Sequence, residues 1–312
     1  MTWRVLISAP YLLKAIEDLH SRLQPAGVEI VTVPVAERLN EADLLAIIGT
    51  IDGAICGDDQ FTERVLRAAP RLKVLSKWGT GIDSIDRSAA AALGIRVCNT
   101  PNAFTDAVAD TTLGYILSFA RQLPWMDLDV RRGLWTKPVL VSLRECTLGV
   151  IGVGNIGKAV VRRALAFGAR VVCTDPVPLD SSFIAETGVI SVSLEELLAA
   201  ADFVSLHCDL NSTSFHLLGR AEFQIMKQSG CVINTARGSI IDEVALIEAL
   251  QAKRIAGAAL DVFEVEPLPD ESPLRQFPNC LLATHNANSS VEARSRVLES
   301  TIENLLRGLR EA

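Results

Sequence analysis

Short apolar runs alternate with helix-like patterns along almost the whole chain, the rhythm of strand–helix–strand units in a parallel sheet. Residues 4–8, 28–33, 53–56, 72–76 and 95–98 predict strands. Between them, 11–23, 40–49 and 61–69 carry helical spacing, and 83–93 predicts a short helix. The turn-rich cluster Asn99-Thr100-Pro101-Asn102 interrupts this rhythm. Two long helices follow over 106–122 and 124–133, and a second alternation runs from Thr147 to about Thr284, with strands near Val171, Phe203, Val232, Ala258 and Leu281. Residues 290–310 form one amphipathic helix. The expected fold is α/β, with two doubly wound, Rossmann-like parallel-sheet domains and a cleft between them. One domain would take residues 1–99 and 288–312, the other 100–287.

Composition supports that layering. Apolar residues make up 49% of the 312 and aromatic ones only 5%, so the cores rest on aliphatic side chains, as sheets covered on both faces require. A formal charge of −7 argues against a nucleic-acid or anionic-membrane partner. No apolar stretch of about 18 residues predicts a membrane span, and no signal-peptide pattern opens the chain. The seven cysteines are scattered without a CxxC pair, which reads as reduced thiols rather than a metal or disulfide framework and predicts a cytoplasmic protein.

Gly152-Val153-Gly154-Asn155-Ile156-Gly157 directly follows the strand 148–151 and opens a helix over 155–167. In that setting Gly152 permits a tight turn, Gly154 admits a pyrophosphate to the backbone, and Gly157 lets helix and strand pack closely. The next strand, 170–174, ends at Asp175, 18 positions after Gly157, near the spacing of a carboxylate that bonds ribose hydroxyls. Such a carboxylate repels a 2′-phosphate, so the expected cofactor is NAD.

Hydride transfer to a keto acid needs a cation for the carboxylate, an acid for the nascent alkoxide, and a partner that keeps this acid protonated. Of the four histidines, His20 and His216 fall in segments where solvated roles are the default. His207 and His285 stand at strand ends, where the binding crevice of such sheets lies. His207 could border the cofactor, and His285, among small polar neighbours, is the better acid candidate. Arg237 follows the strand 231–233 and suits a forked carboxylate contact. Asp261 and Glu266 follow the strand 255–260, and a carboxylate bonded to His285 would favour its protonated form.

In combination these stretches resemble the D-isomer-specific 2-hydroxyacid dehydrogenase family, most of all its phosphoglycerate-dehydrogenase-like branch. The likeness runs through Gly79-Thr80-Gly81-Ile82-Asp83, Asn99-Thr100-Pro101 with Ala107-Val108-Ala109-Asp110, and the glycine turn. It continues through Ser205-Leu206-His207, Asn234-Thr235-Ala236-Arg237-Gly238, Ala259-Leu260-Asp261-Val262-Phe263 with Glu266-Pro267, and His285. The resemblance implies an NAD-dependent enzyme with His285 as general acid/base, Glu266 as its partner and Arg237 as the clamp on carboxylate and carbonyl. Thr80 and Gly81 would hold the substrate carboxylate. Gly152, Gly154, Asn155, Ile156, Gly157, Asp175, His207, Thr235, Ala236 and Asp261 would line the NAD site, with Asp261 on the nicotinamide amide. It further implies a substrate domain made of the chain's two ends, a homodimer, and a small 2-keto/2-hydroxy acid such as glyoxylate, hydroxypyruvate or 3-phosphoglycerate.

Three departures fall near the pocket: Thr284 where the family commonly has Pro, Asn286-Ala287-Asn288 in place of a glycine-containing run, and Asp209 where Pro is frequent. A nucleotide-sensing protein of corepressor type and a formate- or phosphite-type oxidoreductase are the rival readings. Arg131, Arg132, Lys137 and Arg144 are candidates for a phosphorylated substrate only because they are basic, and a solvated helix face and loop explains them better.

Overall fold

The apolar runs become strands buried on both faces. In the computed structural model, which describes residues 2–311, five of them form one parallel sheet: β1 (Trp3–Ile7), β2 (Val28–Thr32), β3 (Gly53–Cys56), β4 (Val74–Lys77) and β5 (Arg96–Cys98), in the order β2-β1-β3-β4-β5. Every residue of β3 and β4 is buried. The helix Val291–Glu311 covers one face, packing Ile302, Leu305 and Leu309 with Val5, Ile55 and Val74. Glycine makes this approach possible: a Cβ on Gly308 would stand 2.4 Å from Val74 Cγ2.

Seven further strands form a second parallel sheet: β6 (Thr147–Ile151), β7 (Arg170–Thr174), β8 (Ile190–Ser191), β9 (Phe203–Leu206), β10 (Cys231–Asn234), β11 (Gly257–Leu260) and β12 (Cys280–Leu282). Their order is β12-β11-β10-β9-β6-β7-β8. Alternation along each strand feeds a core on either face: Cys231 and Ile233 join Val160, Val161 and Ala164 of the helix Asn155–Ala166, whereas Val232 joins Leu197, Phe223 and Leu246. The edge strand β8 escapes a periodicity search because it is two exposed residues long and held only by pairing with β7.

The chain divides into two compact units, residues up to Phe104 with those from Ser290 onward, and Thr105–Ser289. These divisions lie a few residues beyond 99 and 288. Thr100 N donates to Gly79 O (2.9 Å) and Phe104 is buried, tying 100–104 to the first sheet. Ser290 Oγ accepts from Ala293 N (3.1 Å) and so starts the terminal helix. Among the described residues no helix is long and apolar enough to cross a membrane.

Candidate active site

In the seven-stranded sheet the winding reverses between β6 and β9, and that is where parallel sheets open a crevice at their carboxyl ends. Gly152 stands there with φ +88°, and a Cβ on it would lie 2.4 Å from Cys208 N. A Cβ on Gly157 would meet Gly152 O at 2.1 Å, whereas one on Gly154 would meet nothing within 4 Å. Two glycines therefore close the turn and the third leaves its outer side open at the N-cap of the helix Asn155–Ala166. Asp175 braces the turn: one carboxylate oxygen accepts from Val153 N (2.7 Å), the other from Val177 N (2.8 Å). Each oxygen retains acceptor capacity for a hydroxyl.

A cavity of about 530 Å³ lies over this crevice, lined among others by Gly152, Gly154, Asp175, His207, Asn211 and Thr213. Of the loop 208–214 the sequence singles out only Asp209, although the loop's place directly after β9 at the winding reversal is the signal that finds the rest. Its shape is held by Ser214 Oγ, which donates to Asp209 O (2.6 Å) and accepts from Asn211 N (2.9 Å). His207 Nε2 lies 2.8 Å from Ser205 Oγ, and burial pushes the imidazole pKa down to about 3. A ring held neutral in this way is not charged to donate a proton near neutral pH.

Three consecutive strand ends carry the remaining groups. After β10, Asn234 shapes the turn by donating Nδ2–H to Arg237 O (2.8 Å) and accepting Ala236 N–H (3.0 Å). Arg237 Nη1 donates to Ala236 O (2.8 Å), and the buried Thr235 hydroxyl pairs with Thr112 Oγ1 (3.1 Å) in the helix Thr105–Ala120. After β11, Asp261 is 2% exposed, and its two oxygens accept from Asn286 N (3.0 Å) and Ala287 N (2.8 Å). Its carbonyl accepts from His285 N (2.7 Å), so the loop beyond β12 is fastened to Asp261.

Glu266 Oε1 accepts from Phe263 N (2.9 Å), and Oε2 lies 2.9 Å from His285 Nδ1. With Nδ1 held against a fixed carboxylate, Nε2 is the other ring nitrogen of His285, whose backbone is left-handed (φ +50°). Gly238 joins these loops: a Cβ there would lie 1.9 Å from the Phe263 carbonyl carbon, so the Arg237 turn rests directly on the loop leading to Glu266. A guanidinium, a carboxylate-backed imidazole and a nucleotide crevice on one sheet form a set suited to carbonyl reduction.

His20 is exposed, as its helix position predicts, but His216 is not the solvated group expected of it. It is half-buried and its Nε2 lies 2.8 Å from Glu264 Oε1, a partner 48 residues away that local pattern cannot reveal. Thr80 and Gly81 belong to the first unit, where Thr80 Oγ1 donates to Thr100 O (3.1 Å) and Thr80 O accepts from Asn99 Nδ2 (2.6 Å). Arg131 is exposed and paired with Asp127 (2.8 Å), in keeping with a solvated helix face.

The family described as D-isomer specific 2-hydroxyacid dehydrogenase, NAD binding domain, matches residues 113–287. A glyoxylate reductase from Korarchaeum cryptofilum is 38% identical over 278 residues, spanning 87% of this chain and 81% of that protein. A D-3-phosphoglycerate dehydrogenase from Methanocaldococcus jannaschii is 37% identical across 98% of this chain and 58% of its own length. Among solved structures, a D-lactate dehydrogenase from Aquifex aeolicus, complexed with NAD and lactic acid, superposes with a TM-score of 0.86 at 26% identity, covering 96% of this chain and 93% of that one.

Proposed function

The chain belongs to the D-isomer specific 2-hydroxyacid dehydrogenase family, and from that premise we propose that it reduces a small 2-keto acid of glyoxylate or hydroxypyruvate type to the corresponding 2-hydroxy acid, of D configuration where C2 becomes a stereocentre. The observation that carries this reading is the 2.9 Å His285–Glu266 pair, mounted on the NAD-binding sheet beside the Arg237 turn.

NAD fits the residues present: Gly154 leaves room for the pyrophosphate at a helix N-terminus, and Asp175 stands where ribose hydroxyls would bind. NADH, when bound, supplies the hydride that reduces the carbonyl carbon. The Arg237 fork holds the substrate carboxylate and polarises the carbonyl. His285 Nε2 delivers the proton to the carbonyl oxygen, and Glu266 orients the ring through Nδ1. Asp261 fixes the backbone that carries His285.

We also read the chain as a cytoplasmic homodimer. The cytoplasmic reading rests on its seven unpaired cysteines. The helix Leu123–Arg131 buries none of its residues, and Leu123, Leu128, Val130, Leu134 and Trp135 are exposed along it and just beyond, which favours an apolar contact with a second copy. Sedimentation at the mass of a single chain would withdraw the dimer.

The test of function is NADH consumption against glyoxylate, pyruvate, hydroxypyruvate, phosphohydroxypyruvate and bulkier branched or aromatic 2-keto acids. Turnover should be greatest with the short unphosphorylated acids. Silence across the panel with NADH still bound would overturn the reading, and a preference for phosphohydroxypyruvate would overturn its substrate.

A further inference from the structure

His216 lies outside the acid, clamp and cofactor groups, yet it sits where the Arg237 turn and the Glu266 loop bear on each other. Its own segment is laced to the residues just after Arg237: His216 N donates to Ser239 O (2.8 Å), Leu218 N to Ile240 O (3.1 Å), and Asp242 N to Leu218 O (3.0 Å). Its side chain reaches the other loop, with Nε2 2.8 Å from Glu264 Oε1. Glu264 is tied in turn to the helix Glu243–Gln251: Glu243 N donates to Glu264 Oε1 (3.1 Å), and Glu264 N to Glu243 Oε2 (3.3 Å). Asp242 caps that helix by accepting Ala245 N–H (3.0 Å).

Between the two loops stands Gly238, against which the Phe263–Glu264 backbone is packed with no space for a methyl group. A shift of Glu264 is therefore a shift of the surface on which Arg237 rests. The same shift reaches the acid, because Phe263 N donates to Glu266 Oε1 (2.9 Å). His216 holds this place in a left-handed backbone conformation (φ +52°), which few side chains adopt and histidine tolerates better than most. Phe215 stacks on its ring at 4.0 Å between centroids, so the orientation of the imidazole is fixed from a second side.

We propose that His216 is a positioning residue for the reaction: through Glu264 it sets the turn that aims Arg237 at the substrate. The donor is an Nε2–H, present in the neutral Nε2 tautomer and in the charged ring alike. Glu264 and Asp242 gather acceptors around it, with ligating atoms of His216, Asp242 and Glu264 all within 4.8 Å of one another. Without the donor, neighbouring carboxylates face each other across the contact and the loops separate. A displacement of about 1 Å at a clamp can reduce rate on the order of 10²-fold, so a partial loosening should be visible in turnover.

The inference rests on Arg237 being the clamp, and a double-mutant cycle separates the two. Steady-state kinetics with the fastest keto acid of the panel, and NADH dissociation constants by fluorescence, would be measured for His216→Ala, Arg237→Ala and the double variant. His216→Ala should lower kcat/KM for the acid roughly 10-fold while leaving NADH binding within about twofold. In the Arg237→Ala background the same change should cost less than about twofold, since the group it aims is gone. His216→Phe, which keeps the bulk and the stacking, should be as impaired as His216→Ala, and His216→Gln, whose amide retains a donor, should recover most of the loss. Unchanged kinetics in Arg237→Ala would sink the clamp itself. An impaired Arg237→Ala together with an equal His216 effect in both backgrounds, or with a parallel loss of NADH binding, would instead sink the positioning role alone.

Discussion

Both sheets are parallel and doubly wound, and each has one point where the winding reverses, but the two points are put to opposite uses. Between β6 and β9 the chain leaves space: Gly152 turns the backbone tightly, Gly154 has nothing within 4 Å of where a side chain would begin, and a cavity of about 530 Å³ lies above. Between β1 and β3 the corresponding position is filled from within. Asp59 is fully buried there, and its carboxylate accepts from Ser8 Oγ (2.6 Å), Leu39 N (2.7 Å) and Gly57 N (3.0 Å). Lys77 nearby is buried as well and paired with Asp58 at 2.9 Å. Topology thus determines where a crevice can occur, while the residues at the strand ends determine whether it binds anything.

The largest expected effect removes chemistry and leaves the open crevice intact. His285→Asn, chosen because asparagine accepts a left-handed backbone, should lower kcat by roughly 10²–10⁴ with the NADH dissociation constant little changed. Wild-type turnover in this variant would mean that the acid lies elsewhere.

A smaller pair of effects contrasts the two reversal points directly. A methyl group on Gly152 has only backbone to displace, so Gly152→Ala should weaken NADH binding by about 100-fold or more. Asp59→Ala leaves Leu39 N and Gly57 N buried without their acceptor and should lower stability by about 3 kcal/mol. Its NADH affinity per folded molecule should stay unchanged. Fluorescence titration and urea unfolding on both variants would separate the open point from the closed one, and a shared loss of NADH affinity would show that they do not differ as described.

Much of the open site was legible in the sequence because strand ends are legible. An apolar run that stops at Gly152, Arg237, Asp261 or His285 names residues at the carboxyl edge of a sheet, and the glycine spacing names the crevice. What stayed hidden depends on partners far along the chain. No local period couples His216 to Glu264 or turns the Asp261 carboxylate towards the amides of 286 and 287. Nor could the chain alone show that Asp59 closes its crevice, because the groups it binds come from residues 8, 39 and 57. β8 was hidden for a different reason, being only two exposed residues long and held by pairing with β7.

The most delicate contrast is the response of the two points to acid. Burial pushes His207 down from its usual 6.5 to about 3, so the folded ring stays neutral while the unfolded one takes up a proton below about 6.5. Its contribution to stability is complete above 6.5 and falls as pH drops towards 3, by about 1 kcal/mol per pH unit. Burial pushes Asp59 the other way, up from 3.8. A raised carboxyl is most favourable below its unfolded value and loses that contribution as pH rises through the folded one, so acidification relieves Asp59 as it burdens His207. Urea unfolding at about pH 7.5, 6 and 5 would read both terms. His207→Gln, which cannot titrate, should lose less stability than wild type on acidification, whereas Asp59→Asn, deprived of the relief, should lose more. Curves parallel to wild type for both variants would mean that neither group titrates differently in the folded chain, and the open and closed reversal points would then be alike in their electrostatics.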